Sequence, residues 1–123
     1  MKIGVPTEIK KHEYRVGLAP EFAAAYVAAG HDVYIQKGAG EGSSYPDELY
    51  TAVGCKILPT AEEIYATADM IIKVKEPLEP EYALMREGQI FYTYFHLAAD
   101  KALTKAVLDK KIVAIAYETI RDR

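Results

Sequence analysis

The chain has 123 residues, half of them apolar and 27% charged, with a formal net charge of −3. This length suits one domain that buries roughly two-thirds of the surface its unfolded chain exposes. The weakly acidic balance, without a basic cluster, excludes a nucleic-acid binder; the longest low-polarity run, FAAAYVAAG at 22–30, is far short of the roughly 20 residues that span a bilayer.

Read from its start, MKIGVPTEIKK has no apolar core leading to a cleavage site, so it is expected to open a first strand and not a secretory signal. Six β-branched or aromatic runs bounded by Gly, Pro or Asp are predicted strands: KIGV (2–5), DVYIQ (32–36), CKIL (55–58), MIIKV (70–74), QIFYTY (89–94) and KIVAIAY (111–117). Four helical segments lie between them. PEFAAAYVAAG sets Pro20 in a first turn and Gly30 past the end. SYPDELYTAVG offers Ser44 as a cap, Pro46 in the first turn and Gly54 as the stop. TAEEIYATAD carries a capping box, Thr60 with Glu63 three residues on. DKALTKAVLDKK aligns Leu103 with Val107 and Ala102 with Ala106 in one apolar stripe.

Strands alternating with helices of about ten residues predict right-handed βαβ crossovers. The expected fold is therefore one doubly wound α/β domain over residues 1–123, its mostly parallel sheet covered by helices on both faces. MIIKV and IVAIAY read as strands buried on both sides. Cys55 stands alone, which rules out an intrachain disulfide, fits a reducing cytoplasm and predicts a small buried hydrophobe.

Ligands in such sheets bind outside the carboxyl ends of the strands. The loops there are PTEIKKHEYRVGLAP, KGAGEGSS, KEPLEPEY and HLAAD. His96 follows a strand and precedes a helical segment, where a helix N-terminus keeps an imidazole neutral and able to accept a proton. On position alone, a bond to a nearby rim carbonyl is the commoner use of such a ring. Lys75 ends its strand beside a crevice, whereas Lys73, on the same face, reads as a surface residue with a snorkelling stem. Arg15 could hold an acidic substrate through two parallel bonds, or be one more charge on a solvated loop with Lys10, Lys11, His12 and Glu13. His12 and His31 read as surface residues.

GAGEGS (38–43) follows a strand and precedes a helix, but a dinucleotide fingerprint requires glycine at its sixth position and Ser43 stands there. A plain turn is the expectation. No metal-ligand spacing and no P-loop occur.

GVPTEIKKHEYRVGLAP, GHDVYIQKGAGEGS, ADMIIKVKEPL, REGQIFYTYFHLAAD and AIAYET, in this order and across essentially the whole chain, resemble the N-terminal segment of the alanine dehydrogenase family. The transhydrogenase α subunit and saccharopine dehydrogenases share the general pattern, but YFHLAAD with KVKEPL is nearest to alanine dehydrogenases. GLAP departs slightly from the ALTP common in the family. The resemblance implies a Rossmann-like catalytic domain, a separate NAD-binding domain absent from this chain, a cytoplasmic homo-oligomer, commonly a hexamer, and reversible oxidative deamination of L-alanine to pyruvate and ammonium. By the same resemblance Arg15 binds the substrate carboxylate, Lys75 contacts its carboxylate and oxo group, and His96 is the general acid and base. The cofactor-binding residues and a further catalytic Asp are expected outside the chain, so the chain alone is expected to turn over little alanine. The competing readings are a non-catalytic keto-acid-binding module and a relative of the transhydrogenase α subunit. A returning C-terminal segment, also implied by the family, leads to the expectation of an exposed apolar surface.

Overall fold

The computed structural model describes residues 1–10, 12–93 and 101–116. Among these residues the strands are β1 (Lys2–Val5), β2 (Asp32–Gln36), β3 (Lys56–Leu58), β4 (Met70–Ile72), β5 (Ile90–Thr93) and β6 (Val113–Ala116). Its helices are α1 (Pro20–Ala28), α2 (Asp47–Thr51), α3 (Ala61–Thr67), α4 (Glu79–Tyr82) and α5 (Lys101–Asp109). All six predicted strands are present; β1 and β2 keep the expected bounds, β3 and β5 begin one residue later, β4 stops two residues earlier and β6 begins two residues later.

The strands form one sheet in the order β3-β2-β1-β4-β5-β6, and all five pairings are parallel. The chain winds outward from β1 through β2 to β3, then crosses back over β1 and winds the other way through β4, β5 and β6. The two-residue side-chain period splits the core into two halves. Ile3, Val5, Val33, Ile35 and Ile72 pack with Ala23 of α1 and Tyr50 of α2 on one face. Ile71 and Phe91 pack with Ile64 and Tyr65 of α3 and Val107 of α5 on the other. Each of the larger fully buried side chains contributes about 1.5–3 kcal/mol relative to exposure, so both faces are anchored.

Local signals account for most helix ends. Pro20 opens α1, and Gly30 and Gly54, at φ 94° and 98°, take the left-handed conformation just past α1 and α2. Thr60 caps α3, its hydroxyl accepting from the Glu63 N–H at 3.2 Å. Val107 and the partly buried Ala106 of α5 pack against the core. Cys55 is buried, as expected, and burial pushes its thiol up.

Four expectations are corrected. Ser44 does not cap α2: it sits at φ 65° closing a short 3-10 turn, Glu41–Ser43, and the residue before α2 is Pro46, extended and without a side-chain cap. KEPLEPEY is not all loop, because Glu79–Tyr82 forms α4; the Glu81 carboxylate accepts from the Leu78 N–H at 3.0 Å and closes its first turn. The last strand is not buried on both sides: β6 pairs with β5 alone among the described residues, and Val113 is half exposed. Lys73 is no surface residue, for its side chain is 1% exposed. β4 ends at Ile72, and the chain then turns Lys73 inward, where Glu8 and Glu81 receive its ammonium. A cation that finds two carboxylates need not snorkel to water.

Candidate active site

With the sheet order reversing between β1 and β4, the crevice of a doubly wound fold lies between the loops that follow these two strands. Arg15 comes from the first loop and Lys75 from the second, and both lie on this rim. Gly17 brings the first loop down on β4, since a Cβ at this position would lie 2.6 Å from the Ile72 carbonyl oxygen. Only a residue without a side chain permits that approach.

The Arg15 guanidinium grips the Glu13 carboxylate on both oxygens, Nε donating to Oε2 at 2.9 Å and Nη2 to Oε1 at 3.0 Å. The Arg15 backbone N–H also donates to Oε2, at 3.0 Å. The Arg15 side chain is 64% exposed and that of Glu13 only 7%, so the fork faces solvent from a sheltered base. It borders a cavity of about 280 Å³ that Thr7, Glu8 and Gly38 also line. The hydrogen bonds and charge of Arg15, with a further contribution from the charge of Lys75, hold the Glu13 carboxyl below its ordinary range. Glu13 is thus the group that senses both predicted cations.

The half-buried Lys75 is pinned through its main chain. Its N–H donates to Glu8 Oε1 at 3.2 Å, and its carbonyl accepts from the Thr93 hydroxyl at 2.8 Å. Thr93 closes β5, so the strand that leads towards His96 touches the same rim. His96 itself lies outside the described residues. The Thr7 hydroxyl, buried beside the cavity, has no hydrogen-bond partner among the described residues.

Nothing in the sequence marks Glu8, and Glu13 reads there as a loop charge. For Glu13 a signal existed, a carboxylate two positions before an arginine in a loop after the first strand. For Glu8 none did, because its partners lie 65 to 67 residues away.

The glycine-rich turn after β2 does not fit a dinucleotide. The Gly38 N–H donates to Asp47 Oδ1 at 2.9 Å, and Ser43 Oγ donates to the Tyr14 carbonyl at 3.1 Å. A Cβ on Gly42 would lie 2.7 Å from that same carbonyl oxygen. The glycine therefore serves close packing against the Arg15 loop, not approach to a pyrophosphate. Among the described residues no cluster of His, Cys, Asp or Glu could hold a metal ion, and no helix is long and apolar enough to cross a membrane.

A larger cavity, about 650 Å³, opens beside α1 between Phe22, Tyr26, His31 and Tyr92. Its walls are mostly apolar and Phe22 is 61% exposed. It lacks the converging charges that a small carboxylate needs.

Residues 4–123 match the model of the family described as alanine dehydrogenase/PNT, N-terminal domain. The chain belongs to this family. It is 60% identical over 121 residues to an alanine dehydrogenase of Methanococcus maripaludis, covering 98% of this chain and 32% of that protein. With an alanine dehydrogenase of Mycolicibacterium smegmatis the identity is 49%, covering 98% and 33%. A solved L-alanine dehydrogenase superposes with a TM-score of 0.94 at 45% identity, over 96% of this chain and 32% of that one. A transhydrogenase from Sinorhizobium meliloti superposes at 0.87 with 26% identity, over 94% and 33%. The chain thus spans about a third of the length of the relatives it matches. Family membership and the doubly wound fold agree with the expectations drawn from the residues.

The Arg15–Glu13 fork makes a testable contribution to stability. A carboxyl depressed in the folded state stabilises the fold fully above its ordinary titration range, and that contribution is lost as pH falls through the folded value. Because Arg15 is exposed, solvent screening keeps it under about 1 kcal/mol. Glu13→Gln is therefore expected to lower the urea midpoint slightly at pH 7, and the difference should vanish in acid once pH lies below the depressed folded value, where both side chains are uncharged. An equal difference at pH 7 and in acid would count against the pair.

Proposed function

We propose that this chain is the substrate-binding part of an NAD-dependent alanine dehydrogenase that interconverts L-alanine with pyruvate and ammonium. The observation that carries the reading is the Arg15 fork, already set on a carboxylate at the switch-point rim with the charge of Lys75 close by. Glu13 occupies the geometry that a small substrate carboxylate requires. On this reading the substrate competes for the fork, and Lys75 supports its carboxylate and oxo oxygen. Charge-assisted bonds of this kind contribute about 1.5–3 kcal/mol each. His96, three positions beyond the end of β5 in the sequence, is assigned the proton transfers that accompany amine release and carbonyl formation. An imidazole with its ordinary pKa of about 6.5 suits both directions. The dinucleotide is held outside these residues, so no step through the nicotinamide is assigned to them. A cytoplasmic homo-oligomer belongs to the same reading.

Two measurements test it. Oxamate, a stable mimic of pyruvate, should bind the chain in an NMR titration and bind at least about tenfold more weakly to Arg15→Ala, the loss of one strong charge-assisted contact. A chimera joining this chain to the remaining part of the Methanococcus maripaludis relative should oxidise NADH in the presence of pyruvate and ammonium. A folded chimera without that activity would overturn the proposal. The transhydrogenase match favours a second reading, in which the domain serves hydride exchange between nucleotides; NADH oxidation dependent on pyruvate excludes it.

A further inference from the structure

The hydrogen-bond ladder of β4 runs out where the site begins. Ile72 is its last strand residue, and the Lys73 N–H still reaches the Tyr92 carbonyl of β5 at 3.1 Å. The next two N–H groups, those of Val74 and Lys75, instead donate to one side chain from the β1 loop. Glu8 Oε2 accepts from Val74 at 2.9 Å, and Oε1 accepts from Lys75 at 3.2 Å. The carboxylate thus does for the end of β4 what another strand would do, and it spans the crevice between the two loops that carry Arg15 and Lys75.

Glu8 is itself held from behind. Its Oε1 lies 3.2 Å from the Lys73 ammonium, whose other partner, Glu81 Oε2, is at 3.1 Å. That same oxygen accepts from the buried Tyr65 hydroxyl at 2.8 Å. The four side chains make one file from the hydrophobic core beneath α3 to the cavity rim, and Glu8 is its outer end. Desolvation raises the Glu8 carboxyl, and the Lys73 charge and the two backbone bonds oppose that rise. A group buried at such cost and spent on two main-chain donors is placed to define geometry.

We propose that Glu8, anchored on Lys73, is a positioning residue that fixes the backbone of Lys75 so that its ammonium is presented at the rim beside Glu13 and Arg15. The Thr93 hydroxyl holds the Lys75 carbonyl from the other side, so the residue is clamped between β1 and β5. The assignment of Lys75 to substrate rests on the function proposed above, whereas the clamp itself does not.

The test separates the two. The Glu13 carboxyl reports on Lys75, and its NMR titration midpoint should rise when Lys75 is replaced in Lys75→Met. In a Glu8→Gln background, where the buried carboxylate is gone, the same Lys75→Met change should leave the midpoint nearly unmoved, because Lys75 is no longer held in place. Oxamate binding by Glu8→Gln should weaken by about tenfold or more, the loss of one charge-assisted contact from Lys75. Glu8→Asp, which keeps the charge but is one methylene shorter, carries the same comparison if Glu8→Gln does not fold. The double variant Glu8→Gln with Lys73→Met removes both charges and should show the same loss of coupling. A folded variant in which Lys75→Met still moves the Glu13 midpoint as in the parent would overturn the proposal. A parent chain that binds no oxamate, yet shows the coupling and its loss, would overturn the assignment of substrate and leave the clamp standing.

Discussion

Lys73→Met is expected to destabilise the fold by about 3–5 kcal/mol, the usual cost of removing one partner from a buried ion pair. The lysine side chain is 1% exposed, and its ammonium sits 3.2 Å from Glu8 and 3.1 Å from Glu81. Methionine fills much the same volume, so packing is nearly preserved and the loss is electrostatic. Without the cation, two carboxylates share a buried site, and at least one of them must hold a proton to stay folded. The deficit therefore has a definite sign with pH. It is smallest in acid and grows as pH rises, because the folded variant must keep a proton that the unfolded chain releases. Urea denaturation at pH 5 and pH 8 should show the widening gap. Against a total stability of about 5–15 kcal/mol for such a domain, the loss is large. Adding Glu8→Gln and Glu81→Gln should recover part of it, since no buried charge then lacks a partner. A single variant within about 1 kcal/mol of the parent at pH 8 would mean that the ammonium is solvated and the file of buried charges is absent.

The other large effect concerns His96. In the chimera described above, His96→Ala is expected to lower kcat for pyruvate reduction by about a hundred- to ten-thousandfold, the contribution of a positioned acid–base group. KM for pyruvate should change much less, because the proposed function gives the carboxylate contacts to Arg15 and Lys75. Arg15→Ala should show the opposite pattern, with KM raised and kcat less affected. Steady-state kinetics with both variants decide between the roles. Equal losses in the two parameters for both residues would show that the cations and the imidazole do not divide binding from proton transfer.

The legibility of this chain was uneven, and the reason is the range over which each signal acts. Pro20, Gly30, Gly54 and the Thr60–Glu63 cap mark helix ends through bonds made within a few residues, so they could be read directly. The strand runs were equally plain, since a period of two residues is a property of the segment itself. Ser44 misled because its hydroxyl competes for local turns as readily as for a cap, and the 3-10 turn took it. The α4 turn was missed because it is four residues long and its closing bond comes from Glu81, which the buried lysine also holds.

By itself the sequence determined that strands and helices alternate and that Arg15 and Lys75 lie in loops at strand ends, because these depend on signals between near neighbours, and the alternation in turn predicted the doubly wound class. Only the tertiary structure decided that β1 and β4 stand side by side, that Lys73 turns inward, and that Glu8 reaches across 65 residues of chain to hold the turn that presents Lys75. A carboxylate in a polar loop looks the same whether water or a buried ammonium will meet it, and the difference arises only when the crossovers bring distant segments together.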